Sequence, residues 1–172
     1  MTIQKEKETM KEQAYTSANT SINHDKLPAV FGKLKDLHNV SILDYGCGKY
    51  PEIARDWCKA RNCQYFPYDK FNQSEETNSE SMENAKHAEN LIVVCSNVLN
   101  VIDSDDVVRD ILATIQSFGT TAYITVYDGD GKGTGRKTGN DQWQRNQKLR
   151  SYAAYVPTDA HVSFKHGMMI ME

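Results

Sequence analysis

Apolar residues recur at helical spacing in several segments of the chain. Between residues 27 and 37 they stand three or four positions apart, which predicts a helix with Pro28 in its first turn. A cap is expected near Asn23 or Asp25. Further helices are predicted at 51–60, 107–115 and 142–155.

Short apolar or β-branched runs separate these helical segments and predict strands. They occupy residues 40–43, 64–68, 91–94 and 121–127, and a terminal hairpin is expected with strands at 161–164 and 167–171. Because strands alternate with helices, the order predicts βαβ units and a largely parallel sheet covered by helices on both faces. The expected fold class is therefore α/β, three-layer and doubly wound.

Two polar segments interrupt the alternation. Residues 72–90 carry five glutamates and one lysine, which predicts a solvated loop or a disordered insert. Residues 128–141 form a polar, Gly-rich stretch. A length of 172 residues suits one domain, expected at 23–172 after a flexible segment at 1–22.

Composition narrows the function classes. The net charge of −3 excludes a strongly basic protein that coats nucleic acid, although it leaves local patches open. No apolar run has membrane-spanning length, so no membrane segment, secretory signal or membrane partner is expected. The four cysteines form no CxxC pair and no histidine spacing is typical of zinc, which predicts buried thiols in a reducing cytoplasm and no metal.

Polar residues follow the predicted strands, where open parallel sheets bind ligands. In Asp44-Tyr45-Gly46-Cys47-Gly48, two glycines let the backbone approach a ligand closely, with a tight turn as the alternative interpretation. Asp69 ends the next strand, where its carboxylate can accept two ribose hydroxyl hydrogens. A dinucleotide site is disfavoured because Pro51 stands where a third glycine is wanted and Asp44 repels a pyrophosphate.

Asn97 and Asn100 follow the central apolar strand and are the best-placed polar groups for touching a cofactor or a methyl acceptor. The alternative is that their side chains hydrogen-bond the turn after the strand. Both residues are therefore candidates for a catalytic role, and Asn97 also for cofactor binding.

The segment Ile42–Gly48 resembles the first motif of the class I S-adenosylmethionine-dependent methyltransferases, a Rossmann-like family. Residues 95–102 are similar to the fourth-strand segment of some bacterial and phage members, and residues 127–146 resemble a subgroup linked to DNA modification systems. The resemblance implies that Asp44 and the backbone of Tyr45, Gly46 and Gly48 hold the methionine part of S-adenosylmethionine. It also implies that Asp69 binds the ribose hydroxyls.

This chain departs from the family at the methyl acceptor. Ser96-Asn97-Val98-Leu99 lacks the prolines and the aromatic residue by which DNA amino-methyltransferases hold a flipped base, which argues against direct methylation of an exocyclic amine. A third strand with an adenine-contacting acid is not legible in the sequence.

Six cations and Trp143 stand between residues 132 and 150 against one acid, Asp141. Such a segment can bind a phosphate backbone or a nucleotide, with a solvated charged face as the alternative. The residues expected to bind substrate are Lys132, Arg136, Trp143 and Arg145.

The predicted function is methyl transfer from S-adenosylmethionine, with nucleic acid or a nucleotide as the favoured acceptor. Three alternatives stay open: a small-metabolite acceptor, a non-catalytic module that binds S-adenosylmethionine or a partner protein, and, less favoured, a nicotinamide dehydrogenase. A protein partner or a homodimer also stays open, because so short a chain has no separate domain for target recognition.

Overall fold

Six strands form one sheet in the computed structural model, which describes residues 25–140 and 142–172. A separate two-stranded hairpin follows the fourth strand. In chain order the strands are β1 (Ser41–Tyr45), β2 (Gln64–Tyr68), β3 (Leu91–Ser96), β4 (Ala122–Thr125), β5 (Arg136–Gly139), β6 (Gln142–Gln144), β7 (Val162–Lys165) and β8 (Met168–Met171). The α-helices are α1 (Ala29–Lys33), α2 (Glu52–Lys59), α3 (Glu75–His87) and α4 (Asp105–Gln116), and 3₁₀ helices cover Leu99–Val101 and Leu149–Tyr155.

The sheet has the order β2-β1-β3-β4-β8-β7 and is mostly parallel. Strands β2, β1, β3 and β4 run in the same direction, and β8 is antiparallel to both of its neighbours. The chain moves outward from β1 to β2 and then returns past β1 to β3. This reversal makes the crevice at the carboxyl ends of β1 and β3 the expected ligand site of an open α/β sheet. The mostly parallel α/β sheet predicted from the sequence is confirmed.

Side chains of the central strands alternate between two hydrophobic clusters, because successive residues of a strand point to opposite faces. Ile42 and Val94 pack with residues of α1 and α2. Leu43 and Val93 pack with residues of α3, α4 and the 3₁₀ helix at 149–155. The uninterrupted apolar run of β3 follows from this burial on both faces.

The prediction of a loop or disordered insert at 72–90 is wrong, because most of this segment forms α3. The Ser74 hydroxyl caps the helix by accepting a hydrogen bond from the Thr77 backbone N–H at 3.1 Å. Two glutamates lie in the first turn and two basic residues in the last, as the helix dipole favours. The buried side chains of α3 are the small Ser81 and Ala85, so the helix carries no large apolar stripe that a periodicity search could detect.

Two other predicted helices are also corrected. The segment 142–155 begins with β6 and becomes helical only at Leu149, because Asn146 has a left-handed backbone (φ 53°) that a helix cannot include. Helix α1 spans only Ala29–Lys33, and its N-cap position is Pro28 without a side-chain cap rather than Asp25. Asn23 and the segment 1–22 lie outside the described residues.

No helix within the described residues is long and apolar enough to cross a membrane. All four cysteines are free, and three of them are buried. The same residues contain no cluster of His, Cys, Asp and Glu side chains that could hold a metal ion.

Candidate functional site

A cavity of about 1360 Å³ opens at the carboxyl ends of β1, β2 and β3. Its walls are the loops that follow these three strands and β4, the start of α1, one side of α4 and the β5–β6 hairpin. It therefore lies where the strand order reverses, which is where open sheets of this kind bind ligands. Ligand pockets commonly enclose about 300–1,000 Å³, so this cavity has room for more than one small molecule.

The loop after β1 depends on two glycines with left-handed backbones, Gly46 (φ 93°) and Gly48 (φ 75°). A side chain at Gly46 would collide with Val98, whereas a Cβ at Gly48 would meet no atom within 4 Å. The loop is anchored to the end of β2, because the N–H groups of Gly46 and Cys47 both donate to the Tyr68 carbonyl, at 2.7 and 3.0 Å. At Gly48, therefore, the loop offers a ligand open space.

Asp69 lines the cavity at the end of β2, as expected from the sequence, but its carboxylate already has several protein partners. Oδ2 accepts a hydrogen bond from the Gly48 N–H at 2.9 Å. Oδ1 accepts from the N–H groups of Phe71 and Asn72 and from the Asn72 side-chain amide, at 2.9–3.0 Å. A carboxylate offers about four acceptor positions, and the part of the chain that the structure describes leaves one of them, on Oδ2, for a ligand.

Asp44 does not line the cavity. It points to the same side of β1 as Ile42, towards α1 and α2, because side chains alternate along the strand. Its Oδ2 accepts a hydrogen bond from the Tyr65 hydroxyl at 2.7 Å, and the side chain is buried. Burial raises the pKa of Asp44 from its ordinary value of 3.8 to about 7, against the opposing effect of the Tyr65 hydrogen bond. Asp44 is thus a buried carboxyl group at the end of β1 that is not part of the cavity wall.

Tyr45, next to Asp44, lines the cavity with a largely buried ring. The ring packs against that of Tyr68, with 4.6 Å between the ring centroids. Burial raises the pKa of the Tyr45 hydroxyl, so this group is neutral at physiological pH. Tyr45 therefore contributes an uncharged aromatic side chain to the cavity wall.

Asn97 and Asn100 both line the cavity, but their surroundings differ. Asn97 has a left-handed backbone (φ 58°) and is half-buried, and its N–H donates to the Thr125 carbonyl at 2.9 Å. Asn100 is 1% exposed, and its Nδ2 donates to Gln144 Oε1 at 3.2 Å. Its Oδ1 is buried and accepts no hydrogen bond from any described residue. Its side chain therefore bonds to the hairpin and not to the turn after β3.

The four residues expected to bind substrate are separated in the structure. Arg136 and Trp143 line the cavity, but Lys132 does not: it lies on a shallow depression beside Lys148. Arg145 is buried and does not line the cavity; its Nε donates to the Ile102 carbonyl at 2.7 Å and its Nη2 pairs with Asp105.

Sequence reasoning overlooked Phe71 and Gln144 as parts of the cavity wall. The Phe71 ring is 41% exposed and stands two residues after Asp69. An aromatic residue so close to a strand-end acid was a usable signal. Gln144 is 9% exposed and reaches the cavity only because the hairpin folds back over the sheet, which no local pattern indicates.

Searches for similar proteins returned no relative from which a function could be transferred. The chain matches no protein-family model, no curated protein and no solved structure. A functional proposal for this protein therefore depends on the residues and geometry of the cavity.

Proposed function

We propose that this chain is an S-adenosylmethionine-dependent methyltransferase with a Rossmann-like, three-layer, doubly wound fold. The observation that carries the proposal is the cavity at the reversal point of the sheet, with Gly48 and Asp69 side by side in its wall. Packing of different helices against the two faces of β1 and β3 supports the architecture. The free, mostly buried cysteines fit a reducing compartment such as the cytoplasm.

The residues present fit the nucleoside half of the cofactor. Asp69 retains an acceptor position on Oδ2 for a ribose hydroxyl, and the exposed Phe71 ring offers an apolar surface to adenine. The open side of Gly48 leaves room for the ligand next to the backbone. Asp44 is assigned a supporting role under the loop rather than direct contact with the methionine part, because it lies outside the cavity wall.

Methyl transfer requires mainly that the protein position the acceptor atom relative to the cofactor. The cofactor, when bound, supplies an electrophilic methyl group on a sulfonium. The chain then has to hold the acceptor atom in line with that group. Asn97 is the polar side chain best placed for this, at the end of β3 and between the glycine loop and the hairpin in the cavity wall. The remaining volume of the cavity is the place for the acceptor, and Arg136 and Trp143 in its wall favour a nucleic acid or a nucleotide.

Calorimetric titration with S-adenosylmethionine and S-adenosylhomocysteine tests the proposal, with two matched variants. Gly48→Ala adds a methyl group to a residue of the cavity wall, and we expect it to weaken binding by about tenfold or more, because a displaced ligand loses its contacts with the loop. Gly119→Ala is the control. Gly119 has the same left-handed backbone (φ 62°) and open space around it, but it lies outside the cavity wall.

Both substitutions place a side chain in left-handed backbone, at a cost of about 1 kcal/mol each in the free energy of unfolding. Only Gly48→Ala is expected to change the affinity. If neither ligand binds the wild-type chain, or if the two variants bind equally well, the proposal fails.

A further inference from the structure

Asn100 carries an unsatisfied acceptor in the wall of the cavity. Its side chain is almost fully buried and its Nδ2 is held by Gln144, yet Oδ1 accepts no hydrogen bond from a described residue. Buried polar atoms are nearly always paired, so an unpaired one calls for a partner that the protein itself does not supply. Asn100 belongs to the cavity wall, so a ligand N–H group that reaches this buried oxygen would supply the missing partner.

The orientation of Asn100 is set by a chain of side-chain amides. Its Nδ2 donates to Gln144 Oε1, and Gln144 Nε2 donates to the Tyr127 carbonyl at 3.1 Å. The backbone carbonyl of Asn100 also accepts a hydrogen bond from the backbone N–H of Arg145 at 2.9 Å, which ties this loop to the end of β6. With its nitrogen engaged in this chain, the Asn100 amide presents oxygen, and not nitrogen, as the group still to be paired.

The hairpin places a cation on the same side as Gln144. In the β5–β6 pairing, Arg136 stands opposite Gln144 and Lys137 stands opposite Trp143, so Arg136 and Gln144 share one face and Lys137 lies on the other. Arg136 is exposed, lines the cavity and forms no ion pair with residues 25–140 or 142–172. A guanidinium in such a position suits a phosphate.

Two aromatic side chains also line the cavity, Tyr127 and Trp143, of which Trp143 stands opposite Lys137 on the other face of the hairpin from Arg136 and Gln144. Tyr127 is 63% exposed, and the Trp143 indole lies against Gly135, where any side chain would collide with the ring. The glycine therefore lets the backbone support the indole, which keeps it in place. Flat aromatic surfaces that line the same cavity as a cation and amide groups suit a nucleotide.

From this arrangement we infer that Asn100, Arg136 and the β5–β6 hairpin bind a nucleotide whose base carries an exocyclic amine, with the amine on Asn100 Oδ1 and the phosphate on Arg136. An amide oxygen accepts a hydrogen bond from an amino group on the edge of a base. A base with a carbonyl at the same position has no hydrogen to donate there. The inference rests on the proposed function in one respect, namely that the bound nucleotide is the methyl acceptor. It assigns the amine to recognition and leaves the methylated atom elsewhere on the nucleotide.

Cytidine and uridine 5′-monophosphate form the first pair of probes, since cytosine has an amine where uracil has a carbonyl. We expect the wild-type chain to bind the cytidine nucleotide about tenfold more tightly, because uracil would set two acceptors against each other. Titrations are run with and without saturating S-adenosylhomocysteine. Hexacytidylate and hexauridylate are titrated in parallel to distinguish a free nucleotide from a nucleotide within a single strand. The form that binds more tightly, with the preference for cytosine kept, is the ligand of this site.

Two variants test the named residues. Arg136→Ala should weaken binding of cytidine monophosphate about tenfold, while Lys137→Ala, the adjacent cation on the opposite face, should change it by less than about twofold. Asn100→Ala should abolish the preference for cytidine over uridine. If this buried substitution prevents folding, as thermal unfolding would reveal, the comparison of the two nucleotides on the wild-type chain still decides.

Equal binding of the two nucleotides would overturn the inference, as would equal losses in Arg136→Ala and Lys137→Ala. Displacement of the nucleotide by S-adenosylhomocysteine would also overturn it, because the nucleotide would then occupy the cofactor position. Failure of S-adenosylhomocysteine to bind at all would instead remove the proposed function. In that case a cytidine preference that depends on Arg136 would leave the nucleotide site standing.

Discussion

Asp69 and Gly48 join the end of β2 to the loop after β1 through a hydrogen bond of 2.9 Å between the Gly48 N–H and Asp69 Oδ2. The other carboxylate oxygen holds the first residues after β2, including the N–H groups of Phe71 and Asn72. One buried acid therefore fixes two of the loops that form the cavity, those after β1 and β2. The Asp69 carboxylate therefore positions the groups that a ligand meets on either loop, even where the ligand does not contact the carboxylate itself.

Asp69→Asn replaces one carboxylate oxygen with an N–H donor, so at least one N–H group that now donates to Asp69 faces another donor. We expect a loss of about 2 kcal/mol in the free energy of unfolding, typical of hydrogen bonds to a charged group, together with weaker binding of S-adenosylhomocysteine. Urea denaturation and calorimetry measure the two effects. Asp130→Asn is the control, because Asp130 also lines the cavity but is exposed and, within residues 25–140 and 142–172, accepts only the Lys132 N–H. An Asp69→Asn protein as stable as Asp130→Asn would contradict the assignment.

Gly46→Ala should be rescued in part by Val98→Ala. The alanine methyl at position 46 would collide with the Val98 side chain and would also sit in left-handed backbone. Removing the Val98 methyl groups relieves the collision but leaves the backbone strain, which costs about 1 kcal/mol. In a double-mutant cycle the two free energies of unfolding should depart from additivity by about 1 kcal/mol or more. Additive effects would mean that the close approach of Gly46 to Val98 is not tight.

Asp44 should make the protein less stable as the pH rises. Burial raises its pKa to about 7 in the folded chain from an ordinary 3.8, so the folded state holds a proton that the unfolded state has lost between these values. Stability falls with rising pH wherever the folded state binds more protons, and each pKa unit corresponds to about 1.4 kcal/mol. The contribution of Asp44 is therefore fully present below pH 3.8 and is lost as the pH approaches 7.

Urea unfolding of Asp44→Asn between pH 4 and pH 8 should show a flatter pH profile than that of the wild type, because the amide does not titrate. Tyr65→Phe should extend the fall to higher pH, since its hydroxyl favours the ionised carboxylate. Asp56→Asn, a neutralisation on the exposed side of α2, serves as the control for a change in net charge. Identical profiles for wild type and Asp44→Asn would refute the assignment.

Arg145→Ala should damage stability rather than ligand binding. It removes a buried guanidinium and leaves the Ile102 carbonyl and the Asp105 carboxylate without their donor. Breaking a buried pair costs about 3–5 kcal/mol, and Asp105 is half-exposed, so we expect the lower end of this range. Arg109→Ala, which breaks an exposed pair with Asp106, should cost less than about 1 kcal/mol. Chemical denaturation compares the two variants, and a stable Arg145→Ala chain with weakened nucleotide binding would restore Arg145 to the binding site.

Local patterns were sufficient for the framework of this fold. The bounds of β2 follow directly from its apolar and aromatic run, and those of β3 and α4 follow closely from theirs, because burial on a sheet face or along a helix stripe imposes a period on the chain. Helix α3 was not predicted because its buried side chains are the small Ser81 and Ala85. Its sequence signals were an N-cap residue and charged residues at its ends rather than an apolar stripe. The β5–β6 hairpin was not predicted from the sequence because its strands are short and largely polar.

The sequence by itself determined the mostly parallel α/β sheet and the location of Gly46, Gly48, Asp69 and Asn97 at strand ends, since these depend on residue type and local order. Only the tertiary structure decided which of the candidate residues meet. It left Asp44 out of the cavity wall, buried Arg145 beside Asp105, brought Gln144 to Asn100 and placed Arg136 in the cavity wall. The physical reason is that the direction of a side chain on a strand, and the path of a hairpin over a sheet, depend on packing between segments distant in sequence.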